Sequence, residues 1–173
     1  MEIRQIETGD EAAVDAFLSR IPDGDRTFFK EDVDDPAVRA AWFRPGTARL
    51  VAVDGDVVIG YVAVVPLPAW SSHVGEVSVI VDPAHRGRGV GQALARRAVL
   101  EALQLGLAKM VIEVVADQEA AVSMFRSLGF VPEALLRDHI RDHSGRLRDL
   151  LVLAHAVDET WGGLEASGIA EAV

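Results

Sequence analysis

The stretch Val77-Ser78-Val79-Ile80-Val81-Asp82-Pro83-Ala84-His85-Arg86-Gly87-Arg88-Gly89-Val90-Gly91-Gln92 carries the densest chemistry in the chain. A β-branched strand pattern runs into a glycine-arginine loop that opens directly into a helical pattern. Without Cβ atoms in the way, successive backbone N–H groups from Gly87 to Gln92 can face one anion. The helix start behind them adds unpaired donors and the positive end of its dipole. Arg86 and Arg88 add mobile positive charge, so the run reads as a pyrophosphate cradle; a glycine-rich turn without a ligand is the plainer alternative. No Lys-Ser or Lys-Thr pair follows the glycines, so it is not a Walker loop, and Gly87-x-Gly89-x-Gly91 does not fit G-x-G-x-x-G. Two carboxylates could act as acid or base. Glu113 interrupts the apolar run Val111-Ile112-Glu113-Val114-Val115, where burial would raise its pKa toward a useful value. Glu76 opens the strand that feeds the cradle, and either acid could instead be solvated or ion-paired. Tyr61 is the only tyrosine and can be read as a proton donor or as a half-buried strand aromatic.

Regular elements must position these residues. Met1–Ile6 alternates in period two as a strand, and Asp10 is expected to cap a helix with apolar positions at Ala13, Val14, Phe17 and Leu18. A short helix follows near Asp35 to Phe43, with Pro36 in its first turn. Leu50–Val53 and Val57–Val65 flank Asp54-Gly55-Asp56, a hairpin signal. Val74–Val81 is a strand, Val90–Leu105 a helix closed by Gly106, and Met110–Val115 a strand. Gln118–Leu128 is a helix closed by Gly129. Leu135–Arg141 and Leu147–Val157 form a second hairpin around Asp142-His143-Ser144-Gly145. A three-strand meander thus precedes a β-α-β unit, which predicts a mixed α/β sheet with helices on both faces. Residues 1–157 read as one domain and residues 158–173 as a weak helix or loose end.

The chain has 173 residues, enough for one domain burying roughly 70% of its unfolded surface. It has no cysteine, which excludes a disulfide scaffold, a thiolate metal site and a cysteine nucleophile. No His, Asp and Glu spacing suggests a metal site. Apolar stretches such as Val57–Ala69 fall short of a membrane span of about 20 residues. The start Met1-Glu2-Ile3-Arg4-Gln5 lacks signal-peptide character, so a cytoplasmic protein is expected.

The net charge of −10 argues against general nucleic-acid binding, and it is unevenly spread. Residues 1–36 carry −7 and residues 158–173 carry −4, while Ala84–Arg97 holds four arginines and no acid. That distribution suits an anionic ligand on the basic island and a cationic one on the acidic side, or simply a solubilising acidic surface. His139 and His143 fall among alternating charges, the pattern of a solvated face.

These residues resemble the GNAT superfamily of acyl-CoA-dependent N-acyltransferases. The Q/R-x-x-G-x-G/A motif of that family is matched by Arg86-Gly87-Arg88-Gly89-Val90-Gly91, after Val81-Asp82-Pro83. A second family stretch is matched by Val114 to Phe130, ending in Leu128-Gly129-Phe130. The resemblance covers about Leu50–Val157 and implies a GNAT-like, mostly antiparallel central sheet of about seven strands. It implies that acetyl-CoA lies where Val74–Val81 and Met110–Val115 splay apart. Main-chain groups of Val79, Ile80 and Val81 would meet the pantetheine arm, as would Gln118, which replaces the usual Asn. The amides of Gly87, Arg88, Gly89, Val90, Gly91 and Gln92, with Arg86, would hold the pyrophosphate.

The implied reaction is direct acetyl transfer to a primary amine, on a small molecule, an amino acid, or a protein lysine or N-terminus. Glu113 resembles the base of the subgroup acting on protein N-termini, and Glu76 the base of other subgroups. The tyrosine acid of many members is replaced by Phe125, which has no proton to give, so water or Tyr61 would have to protonate the thiolate. Phe125 also motivates the alternative of a non-catalytic acyl-CoA-binding module. Family members are often dimers, which makes a homodimer an open expectation.

Overall fold

The computed structural model describes residues 1–26, 29–44, 48–142 and 144–157. The expected tail, residues 158–173, and His143 lie outside the described residues. Seven strands form one sheet: β1 (Glu2–Gln5), β2 (Ala48–Asp54), β3 (Val57–Pro66), β4 (Val74–Val81), β5 (Lys109–Val115), β6 (Val131–Arg141) and β7 (Leu147–Ala156). Their spatial order is β1-β2-β3-β4-β5-β7-β6, and only β4 and β5 run parallel. The mixed, mostly antiparallel α/β sheet expected from the strand order is therefore present. Its meander closes at Gly55, whose φ of 59° occupies the first central position of the two-residue turn. Glycine suits that conformation because it has no Cβ.

Helices cover both faces. On one lie α4 (Val90–Gln104) and α5 (Glu119–Ser127); on the other lie α1 (Glu11–Arg20), α2 (Asp23–Arg26) and α3 (Pro36–Trp42). The strands alternate between two cores, as period-two side chains must. Val62, Val64, Val77, Ile112 and Val114 pack with Leu94, Ala98 and Phe125 on the α4 face. Val58, Tyr61, Ala63 and Ile80 pack with Phe17, Phe29 and Trp42 on the α1 face. The sheet is thus buried on both sides through its centre, which explains why β2 and β3 read as continuous apolar runs.

Several boundaries depart from expectation. Asp10 sits at the start of α1, but its carboxylate makes no cap and instead takes two hydrogen bonds from Arg4, at 2.7 and 2.8 Å. A charge-assisted bidentate pair outcompetes a single amide donor. Asp35 does cap α3, accepting from the Ala37 amide at 2.8 Å. The short helix α2 has no apolar face to announce it, with no buried residue among Asp23–Arg26. Strand β6 begins at Val131, four residues before the expected Leu135, because as an edge strand it tolerates Pro132.

Candidate active site

The parallel pairing of β4 with β5 ends at Val77 opposite Ile112. Strand β4 then continues to Val81 on β3, and β5 continues to Val115 on β7. The two strands part there, leaving the β5-facing main chain of residues 78–81 outside the sheet ladder. A cleft of about 860 Å³ opens in the gap, lined by Val77–Val81, Ile112–Val114 and the facing side of α5. Exposed main-chain groups along such a gap can pair an extended, amide-bearing ligand as an added strand would.

One end of the cleft is the glycine loop. Gly87 and Gly89 have φ of 72° and 81°, the left-handed region in which L side chains are strained. Gly89 is the last residue before α4 and has no Cβ to shield the amides of Val90, Gly91 and Gln92. Gly91 is needed for a different reason: a Cβ there would sit 3.3 Å from Met124 Sδ and 3.5 Å from Val81 Cγ2, narrowing the cleft. Arg86, Gly87, Gly89, Val90, Gly91 and Gln92 all line the cavity, with Val79, Ile80, Val81, Gln118 and Phe125. Arg88, expected beside Arg86, is exposed and is not among the residues lining the cavity.

The loop is braced from below. Asp82 is buried, accepts from the Ala84 amide at 3.0 Å, and takes a hydrogen bond from Arg20 Nε of α1 at 2.7 Å. Burial pushes the Asp82 carboxyl up, but the Arg20 guanidinium and the Ala84 amide outweigh it and hold it below the ordinary carboxylate range. His85 lines the cleft rather than standing free in the loop: its Nδ1 is buried 3.6 Å from Asp82 Oδ2. Arg86 reaches the Val81 carbonyl at 3.2 Å and Asp25 of α2 at 2.6 Å.

At the other end lie the two carboxylates. Glu113 lines the cleft, and Glu76 lies on the adjoining strand beside it. The expected burial of Glu113 is not found: its side chain is 35% accessible, because the odd positions of β5 face away from the α4 core. Both acids share a partner that pattern reading missed. Lys30 Nζ stands 2.8 Å from Glu113 Oε2 and forms an ion pair with Glu76. Its neighbours hold it there. Phe29 is buried beside Trp42 and Tyr61, and Glu31 accepts from Arg49 at 2.6 and 3.0 Å and from Trp42 Nε1 at 2.7 Å. The available signal was composition: Lys30 is one of two lysines in the chain, and it lies in the acidic first 36 residues.

Tyr61 is not at the cleft. It is buried in the α1-side core, stacked on Trp42 with ring centroids 4.5 Å apart, and its hydroxyl is hydrogen-bonded to Arg49. Burial pushes its phenol well above the ordinary value against the opposing charge of Arg49. Tyr61 is therefore not placed to protonate a thiolate in the cleft, contrary to the expectation from sequence. Phe125 lines the cleft, edge-on to Phe130 at 5.4 Å, so the position expected for an acid offers only hydrocarbon. His139 is exposed on β6, in keeping with a solvated face. Among the described residues, no cluster of three metal-ligating side chains occurs, and no helix is long and apolar enough to cross a membrane.

Comparison with known proteins agrees with this geometry. Residues 15–130 match the family model described as Acetyltransferase (GNAT) family. The L-amino acid N-acyltransferase MnaT of Escherichia coli K12 is 30% identical over 92% of this chain and 95% of its own length. The L-methionine sulfoximine/L-methionine sulfone acetyltransferase of Salmonella typhimurium is 29% identical over 92% of this chain and 96% of its own. The acetyltransferase yncA of Salmonella typhimurium, solved with its cofactor acetyl-CoA, superposes with a TM-score of 0.76 at 27% identity, covering 91% of this chain and 94% of that one. With sheet, splayed strands, glycine loop and relatives in agreement, the chain belongs to the GNAT family of acetyltransferases.

Proposed function

We propose that the protein transfers an acetyl group from acetyl-CoA directly to the primary amine of a small acceptor of the amino-acid class. The observation that carries this reading is the single cleft with an anion cradle at one end and Glu113 at the other. The acceptor class is supported by two relatives matching nearly the whole chain, both named for acyl transfer to amino acids or their analogues. Acetyl-CoA supplies a thioester whose carbonyl carbon accepts the amine. The amides of Gly87–Gln92 bind the pyrophosphate, and the freed main chain of residues 78–81 aligns the pantetheine arm. Glu113 removes a proton from the acceptor amine, which otherwise stays protonated near neutral pH. Phe125 and Met124 exclude water on the α5 side, and solvent protonates the departing thiolate, a good leaving group. A test is thiol release from acetyl-CoA with a panel of amino acids, polyamines and peptides. Turnover of free amino acids above the peptides is expected, and release with peptides alone would overturn the acceptor class.

Two further outcomes bear on the cradle. Gly89→Val places a β-branched residue in the left-handed region and a side chain over the amides, so acetyl-CoA should bind about tenfold more weakly, about 1.4 kcal/mol. Calorimetric titration reads this directly. Asp25 competes with the pyrophosphate for Arg86, and Asp25→Asn should therefore tighten acetyl-CoA binding by about two- to fivefold at low salt, the scale of one exposed ion pair. The gain should shrink as salt is raised.

Phe125 favours a second reading, an acyl-CoA-binding module without turnover. Acetyl-CoA binding with no thiol release across the amine panel would select it.

A further inference from the structure

We infer that Lys30 is itself an acetyl acceptor, a self-acetylation site built into the acceptor end of the cleft. The inference rests on the acetyltransferase reading above. Lys30 Nζ is a primary amine on the cleft lining. Its nitrogen is 2.8 Å from Glu113 Oε2, within the 2.6–3.2 Å or so that a general base needs for the proton it abstracts. An incoming amine must take that same place, so Lys30 already has the geometry required of a substrate.

That geometry is enforced from both sides. Phe29 is locked in the aromatic cluster with Trp42 and Tyr61. Glu31 is held by the nearly buried guanidinium of Arg49 and by the Trp42 indole. The residue between two anchored neighbours has little backbone freedom, so its side chain is delivered to the carboxylates repeatedly. The choice of lysine is also informative. Fifteen of the seventeen basic side chains are arginine, whose guanidinium does not deprotonate in proteins, and one of the two lysines is placed here. The other, Lys109, is paired on the surface with both oxygens of Glu133 at 2.7 Å.

In the step, Glu113 accepts one proton from the Lys30 ammonium and passes it to solvent. The freed lone pair forms the N–C bond to the acetyl carbonyl, and the C–S bond breaks with its electron pair on sulfur. The second proton lost by nitrogen ends on the thiolate. The products are acetyl-Lys30, the CoA thiol and one solvent proton. Acetylation removes the positive charge between Glu76 and Glu113 and adds bulk at the acceptor end, which would hold the enzyme in a less active form.

The test is incubation of the full chain with acetyl-CoA and no acceptor, followed by intact mass and peptide mapping. One acetyl group should appear on Lys30, about 10²-fold faster than on Lys109, the factor a positioned base supplies. The rate should be independent of protein concentration, suppressed by saturating acceptor, and lost in Lys30→Arg and in Glu113→Gln. Equal labelling of Lys30 and Lys109, or the same labelling in heat-denatured protein, would overturn the inference. So would an unmodified Lys30 in protein that turns over amines; in that case the acetyltransferase reading stands. Absence of both thiol release and Lys30 labelling would instead count against that reading itself.

Discussion

Glu113→Gln should lower kcat/KM for the amine acceptor by about 10²- to 10³-fold, the range a positioned general base contributes. The substitution keeps the size of the side chain and removes only its ability to take a proton. Binding of acetyl-CoA should be unchanged, because the cradle amides belong to residues 87–92 at the other end of the cleft. Glu76→Gln should cost less, under about tenfold, since Glu76 is absent from the cleft lining and reaches the site through Lys30. A larger loss in Glu76→Gln than in Glu113→Gln would exchange the two roles. Stopped-time thiol assays across pH on the three proteins decide between them.

Arg49→Leu should destabilise the fold by about 3 kcal/mol, as expected when one partner of a buried ionic cluster is removed. For a chain of this size that lowers the melting temperature by roughly 6–12 °C. The guanidinium of Arg49 is only 8% exposed as a residue, lies 5.3 Å over the Trp42 ring, and bonds to Glu31 and the Tyr61 hydroxyl. Leucine satisfies none of these groups. Glu31 then loses its anchor and Lys30 its fixed neighbour, so self-acetylation should slow as well. Arg49→Lys keeps the charge without the two-pronged geometry and should fall between the two. Thermal unfolding by circular dichroism reads the stability, and peptide mapping reads the coupling to Lys30. An unchanged melting temperature in Arg49→Leu would show that the cluster is solvated and carries no clamp.

The parts of this molecule that were readable in the sequence are those where local pattern and local chemistry coincide. The glycine loop announces itself because positive φ, anion access and a helix start all demand glycine within a few residues of one another. The strand boundaries of Val74–Val81 are set by β-branched residues on one side and Asp82-Pro83 on the other. Acid density in the first 36 residues suited either a cationic acceptor or a solubilising surface, and within it Asp25 and Glu31 are occupied by Arg86 and Arg49. Lys30, the cation that meets Glu76 and Glu113, was hidden within that acidic run. Its role depends on residues 46 and 83 positions further along the chain, a tertiary relationship that no periodicity encodes. Tyr61 failed for a related reason. Strand alternation gives two faces, but only the packing of Trp42 and Phe29 decides that its face is closed by α3 rather than open to the cleft.

The central claim is geometric: one cleft, formed where β4 and β5 part, holds the donor thioester against Glu113. A crystal structure of the protein with acetyl-CoA tests it most directly. The pyrophosphate should sit on the amides of Gly87–Gln92, the pantetheine arm should pair with the main chain of residues 78–81, and the thioester carbonyl should face Glu113 with room for an amine between them. A cofactor bound elsewhere, or a thioester turned away from Glu113, would contradict the account.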